Sequence, residues 1–148
     1  MKKWFDNIDR WDYNCGGYAL ETYDWYLPYD RDEGYFYINE LLDEAGELVT
    51  LAQLKYRILA DFPELKLVSQ QEVQDKLIDY HTYQIIAFRI ELGGNCDFHF
   101  MKLGKNGSWY EKRGASYKIH RHSFNDVFDD CWNGRYNSEI IFFIRERI

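Results

Sequence analysis

Apolar residues at Leu51, Leu54, Ile58 and Phe62 recur at the spacing of one helical face, and Pro63 follows them. Thr50 and Gln53 stand just ahead in the capping-box relation, so a helix is expected over this stretch. Leu65 to Val68 reads as a short strand. Ser69 and Glu72 repeat the capping box and predict a short helix over 70–78. The period then changes. Ile86, Phe88, Ile90 and Leu92 alternate like a half-buried strand. Gly93-Gly94-Asn95 turns the chain, and Asp97 to Leu103 forms the next strand. Lys105-Asn106-Gly107 is a hairpin turn, and Ser108 to Lys112 is its return strand. A short helix after Ser123 and a last strand from Glu139 to Arg145 complete the pattern.

Nearer the N-terminus, Asn14 is a preferred N-cap residue, which predicts a helix opening at Cys15 and closed by Pro28. The Tyr- and Asp-rich stretch 29–39 reads as loop. Helices first and an antiparallel meander afterwards make an α+β chain without internal repeats.

Composition sharpens this. A chain of 148 residues, 46% hydrophobic and 19% aromatic, fits one domain over 1–148 with a well-filled core. The net charge of -7 argues against a nucleic-acid partner and against an anionic membrane surface. A neutral or cationic peptide is compatible with it. Three cysteines and no apolar leader after Met1-Lys2-Lys3 do not describe a disulfide framework. No apolar run approaches the roughly 18 residues of a membrane span. A cytoplasmic protein with free thiols is the expectation.

The chemistry centres on Cys15. A thiol attacks as thiolate, which a helix N-terminus or a neighbouring imidazolium favours. Cys15 follows the Asn14 cap, and its N–H is a free donor suited to an oxyanion. Tyr13 or Asn14 is the candidate second donor. Gly16 and Gly17 are expected to leave room for a substrate carbonyl beside the sulfur. The plainer alternative is a buried cysteine after a turn. His99, in mid-strand, is the natural base; the plainer alternative there is a histidine packed among aromatics.

The hairpin sets a geometric condition. A three-residue loop with Gly107 left-handed pairs Gly104 with Ser108 and Met101 with Glu111. Glu111 then shares the His99 face, one diagonal step away, and can orient the imidazole. A two-residue Asn106-Gly107 turn would flip Glu111 to the other face. Glu111 would then be a solvated charge paired with Lys102 or Lys112.

Asn14-Cys15-Gly16-Gly17-Tyr18-Ala19-Leu20, then Asp97-Phe98-His99-Phe100, a Gly-containing turn and Trp109-Tyr110-Glu111-Lys112, resemble the motifs of a group of small bacterial and phage proteins. That group carries Asn-Cys-Tyr-Ala-Tyr-Ala-Leu, then Asp-Tyr-His-Phe/Trp-Tyr-Arg, then Trp-Ser-His-Lys. By pattern it sits with papain-like thiol hydrolases of the NlpC-type cell-wall peptidase superfamily. The resemblance covers residues 14–21 and 83–114 and the order of elements between them. It implies an α+β papain-like, NlpC-like domain with N-terminal helices on an antiparallel sheet. It implies Cys15 as nucleophile and His99 as base, with Glu111 where the group has its second His. Gly16-Gly17 depart from the group's Tyr-Ala, and Glu111 departs from its His.

Two rivals come from the same residues. Cys96-x-x-His99, His120-x-His122 and Cys131 have loose metal-ligand spacing; His120-Arg121-His122 otherwise reads as an exposed basic strand or loop. Trp25, Tyr26, Tyr29, Tyr35 and Tyr37 suit an interaction surface, so a non-catalytic interaction or immunity-type protein on a degenerate papain-like fold is the alternative. The leading expectation is a cysteine peptidase or amidase acting on a peptide or protein substrate through Cys15, His99 and Glu111, with no cofactor.

Overall fold

The structure, a computed structural model, describes residues 12–28, 51–92, 97–114, 116–129 and 132–148. The expected loop at 29–39, the Thr50 cap, the Gly93-Gly94-Asn95 turn, Cys96 and Cys131 lie outside the described residues.

Helix α1 is Cys15–Ala19, α2 is Leu51–Asp61 and α3 is Gln70–Gln74. Strands β1 (Lys66–Val68), β2 (Tyr83–Ile90), β3 (Phe98–Leu103), β4 (Trp109–Lys112), β5 (Ile119–His122) and β6 (Ile141–Glu146) form one six-stranded antiparallel sheet, so the fold is α+β with few helices. A 3-10 helix, Phe124–Phe128, follows Ser123. No helix of the described residues is long and apolar enough to cross a membrane.

The local signals are visible in these elements. In α2, Leu54 and Ile58 are the buried face, and the Ser69–Glu72 capping box opens α3. Helix α3 stops at Gln74, short of the expected 78, because Lys76 turns left-handed at φ 56°. Helix α1 stops at Ala19, far short of Pro28. Glu21 and Tyr23, both left-handed, turn the chain back there, and the Thr22 and Tyr23 N–H groups bond the Gly17 carbonyl.

The expected meander is only partly present. Spatial order is β1-β6-β2-β3-β4-β5, so the C-terminal strand returns to lie between β1 and β2. The reason lies in β2, which is apolar on both faces rather than half-buried. Ile86, Phe88 and Ile90 enter the core under α1 and α2, whereas Ile85 and Ala87 enter a second core with Trp109, Val127 and Phe142. A strand covered on both faces belongs in the sheet interior, and β6 supplies its second neighbour, with Phe143 on one side and Phe142 on the other. Leu92 lies beyond the strand and is exposed.

Candidate functional site

Asn14 organises the start of α1. Its Oδ1 accepts from the Gly17 N–H at 3.0 Å and from the Tyr26 N–H at 3.0 Å, and its Nδ2 donates to the Tyr26 carbonyl at 2.7 Å. The cap residue therefore also clasps the returning segment. A Cβ on Gly17 would lie 1.8 Å from the Asp24 carbonyl oxygen, and one on Gly16 would lie 3.0 Å from the Tyr26 ring. The space expected beside the sulfur for a substrate carbonyl is thus filled by the protein's own chain. Glycine is required because the backbone of 24–26 packs directly on the helix.

Asn14 spends its Oδ1 and one Nδ2 hydrogen inside this clasp and is buried there, which ties the side chain to α1 and Tyr26 rather than to an oxyanion. The Tyr13 ring packs edge-on to Tyr23 and against the Lys112 ammonium. Cys15 holds the first helical position, where the N–H has no acceptor within the helix. At five residues, α1 aligns few peptide dipoles, so the helix contributes less field at Cys15 than its sequence signal implied.

The hairpin adopts the three-residue register. Gly104 N–H bonds the Ser108 carbonyl at 2.8 Å, Gly107 has φ +82°, and Lys102 pairs with Tyr110. Extending that register sets Met101 opposite Glu111 and places Glu111 on the His99 face. Glu111 Oε1 lies 3.0 Å from His99 Nε2 and accepts from Arg113 Nε at 2.9 Å. Its Oε2 meets His122 Nε2. An ionised carboxylate only accepts, so each histidine presents Nε2–H to it.

Glu111 is 2% exposed, not the solvated edge charge of the alternative reading. Lys102 pairs instead with Glu21, and Lys112, fully buried, donates to the Tyr13 and Gly114 carbonyls.

Cys15 lies close enough to His99 to perturb it. Its charge and hydrogen-bonding capacity act on the imidazole and help to raise the His99 pKa; with Nε2 engaged by Glu111, the other ring nitrogen is not spent on the carboxylate. Cys15 belongs to the core under the helices, whereas His99 stacks on Tyr136 at 5.0 Å and meets Trp132 edge-on at 5.8 Å. The β3–β4 ladder carries only the Leu103–Trp109 and Lys102–Tyr110 pairs, and α1 packs against both strands.

Electrostatics follow the geometry. Burial alone would lower the His99 pKa. The hydrogen bonds and charges of Cys15 and Glu111 outweigh it and raise the pKa from 6.5 to about 9. Burial would raise Glu111, but His99, Arg113 and His122 bring it from 4.5 to about 2. Burial and the Asp97 charge push the Tyr136 phenol well above its ordinary value. Its hydroxyl donates to Asp97 Oδ2 at 3.0 Å, and Arg135 bridges Asp97 and Glu91 at 2.9 and 2.8 Å.

A cavity of about 250 Å3 opens onto this cluster, walled by Asp97, His99, Glu111, Arg113, Trp132 and Tyr136 among others. Cys15, 4% exposed, is not part of its wall. A larger cleft of about 810 Å3 runs past Leu20, Phe62, Gln84 and Arg145, a set that includes none of the residues of this cluster.

Of the three residues singled out from the sequence, His99 and Glu111 are in direct contact, and Cys15 is near enough to act on the His99 charge. Arg113, His122, Trp132, Tyr136 and the anchoring role of Asp97 were not anticipated. Arg113 was within reach, because residues two apart in an extended chain share a face. His122 needed the β4–β5 register, which sets Glu111 opposite His120 and makes His122 its diagonal neighbour. Trp132 and Tyr136 follow the 3-10 helix in a stretch without periodicity, and no local pattern marks them. For the metal rival, His99 and His122 both spend Nε2 on Glu111. Among the described residues no group of three or more His, Cys, Asp or Glu is arranged to hold a metal ion.

These features describe an α+β protein with a buried Cys-His-Glu cluster beside a small cavity. No protein-family model, curated protein or solved structure matches the chain.

Proposed function

We propose that the chain is a papain-like cysteine hydrolase, a peptidase or amidase related to the NlpC-type superfamily, acting on a peptide or protein substrate. The observation that carries this reading is the buried His99–Glu111 pair, 3.0 Å apart, with Cys15 near enough to raise the His99 pKa. An imidazole oriented by a buried carboxylate, with a cysteine at the start of a helix beside it, is the arrangement that activates a thiol nucleophile.

In the proposed reaction the Cys15 thiolate attacks the carbonyl carbon. The C=O π pair moves to oxygen, and the N–H of Cys15 donates to that oxyanion. His99, protonated, gives its proton to the leaving amine as the C–N bond breaks, which leaves a thioester. His99 then takes a proton from water as the water attacks the thioester, and the carboxylic product leaves with release of the sulfur. Glu111 remains ionised and holds the imidazole through Nε2–H.

Alkylation kinetics test the reading. Cys15 is expected to react with iodoacetamide at neutral pH at least about tenfold faster than a free thiol of ordinary pKa, and His99→Ala is expected to abolish the advantage. A Cys15 no faster than a free thiol, with no response to His99→Ala, overturns it. The 4% exposure of Cys15 favours a second reading, a non-catalytic interaction or immunity-type protein on the same scaffold. Slow alkylation of folded protein is the outcome that selects it.

A further inference from the structure

We propose that His122 is a positioning residue, whose ring holds the Glu111 carboxylate in the orientation that engages His99. The inference rests on the Cys15–His99 reading for its catalytic meaning, but its geometry stands alone.

The two carboxylate oxygens are used unequally. Oε1 faces both His99 Nε2 at 3.0 Å and Arg113 Nε at 2.9 Å, whereas Oε2 is paired with His122. Glu111 is almost fully buried, so loss of the His122 donor strands Oε2 away from water, which is costly for a charged acceptor. Arg113 gives the carboxylate an exit. Its side chain is 40% exposed, lines the cavity, and donates to Glu111 through Nε. A carboxylate without His122 turns outward with Arg113 to reach solvent and leaves His99. His122 comes from β5, at the sheet edge, and reaches Glu111 across the β4–β5 diagonal. That strand thereby has a function its basic, half-exposed sequence does not announce.

The groups facing His99 are Cys15 from α1, Glu111 from β4, Arg89 opposite it on β2, and Tyr136, whose hydroxyl is held by Asp97. Of these, only the placement of Glu111 depends on His122.

The experiment is an NMR titration of the histidine rings, with His99 assigned by its loss in His99→Gln. In the wild type His122 is expected to carry its proton on Nε2 at pH 7.5, facing the ionised carboxylate. An unprotonated Nε2 there overturns the proposal without any variant. His122→Ala is expected to lower the His99 titration midpoint by about one pH unit or more, a tenfold loss of proton affinity. His122→Gln, whose amide N–H reaches a similar point, is expected to restore it. An unchanged or raised midpoint in a folded His122→Ala, or equal loss in His122→Gln, overturns the proposal. If the alanine variant does not fold, His122→Phe fills the space without a donor and takes its place. Cys15→Ser separates the two claims. A His99 midpoint indifferent to Cys15→Ser counts against the thiol–imidazole pair and leaves the His122 result standing.

Discussion

Glu111→Gln removes one charge and keeps the shape. The carboxylate it replaces is 2% exposed and receives His99, His122 and Arg113. An amide offers one acceptor oxygen and turns an NH2 group toward a cationic or donating partner, so at least one buried donor loses its acceptor. Removing one partner of a buried ion pair costs about 3–5 kcal/mol. The His99 shift gives a separate measure. A rise from 6.5 to about 9, at about 1.4 kcal/mol per pH unit, corresponds to about 3 kcal/mol net, after the opposing cost of burying the imidazole is subtracted from what Glu111 and Cys15 supply. The depressed Glu111 pKa reflects much of the same contact and is not added.

The pH dependence has a definite sign. His99 is raised in the fold, so its contribution is full below about 6.5 and fades as pH rises through about 9. Glu111 is lowered in the fold, so its contribution is full above about 4.5 and fades as pH falls through about 2. The stability gap between wild type and Glu111→Gln is therefore expected to be widest near pH 5–6.5, at about 3 kcal/mol. In a chain of this size that is about 6–12 °C in Tm. The gap narrows toward pH 10 without closing, since Arg113 stays charged. Urea unfolding at pH 5.5, 7.5 and 9.5 measures it. A gap that is flat from pH 5.5 to 9.5, or one below about 1 kcal/mol throughout, would refute the assignment of His99–Glu111 as a buried charged pair.

Gly17→Ala is expected to be far more damaging than Gly16→Ala. The first places Cβ 1.8 Å from a backbone carbonyl, the second 3.0 Å from a ring that can shift, so losses of about 3 kcal/mol or more against about 1 kcal/mol are expected in thermal unfolding. Lys112→Met keeps the buried stem but strips the ammonium from the Tyr13 and Gly114 carbonyls. It is expected to cost about 2 kcal/mol, read by urea unfolding. It should also slow Cys15 alkylation, because Tyr13 lies two residues before the thiol. Tyr136→Phe keeps the stack on His99 and loses the bond to Asp97. A cost of about 1–2 kcal/mol in the same unfolding assay is expected.

Much of the local architecture is legible in the chain. The Ser69–Glu72 box, the Leu54–Ile58 face, the Asn14 cap and Gly107 each act through neighbours a few residues away, and each appears in the structure where its pattern lies. The hairpin is the most consequential of these. One left-handed glycine decides whether Glu111 faces His99, because a register step of one residue inverts the face of every side chain that follows. Readings failed where a local pattern had more than one tertiary use. The Gly16-Gly17 pair signals freedom from side chains. It does not say whether a substrate or the chain's own Asp24–Tyr26 segment occupies the space. The alternation in β2 marks one apolar face, whereas Ile85 and Ala87 fill the other as well.

The α+β composition, the start of α1 at Cys15, the strand that carries His99, and the turn that sets the Glu111 face are all written in the local sequence. Those are properties of short-range sterics and hydrogen bonding, which act over spans of a few residues. Long-range packing sets the rest: β6 inserts beside β2, Lys112 is buried under Tyr13, and Tyr136, Arg113 and His122 close around His99 and Glu111. Those contacts join segments far apart in the chain. Nothing local selects them; they follow from burying both faces of β2 and from giving each buried charge its partners.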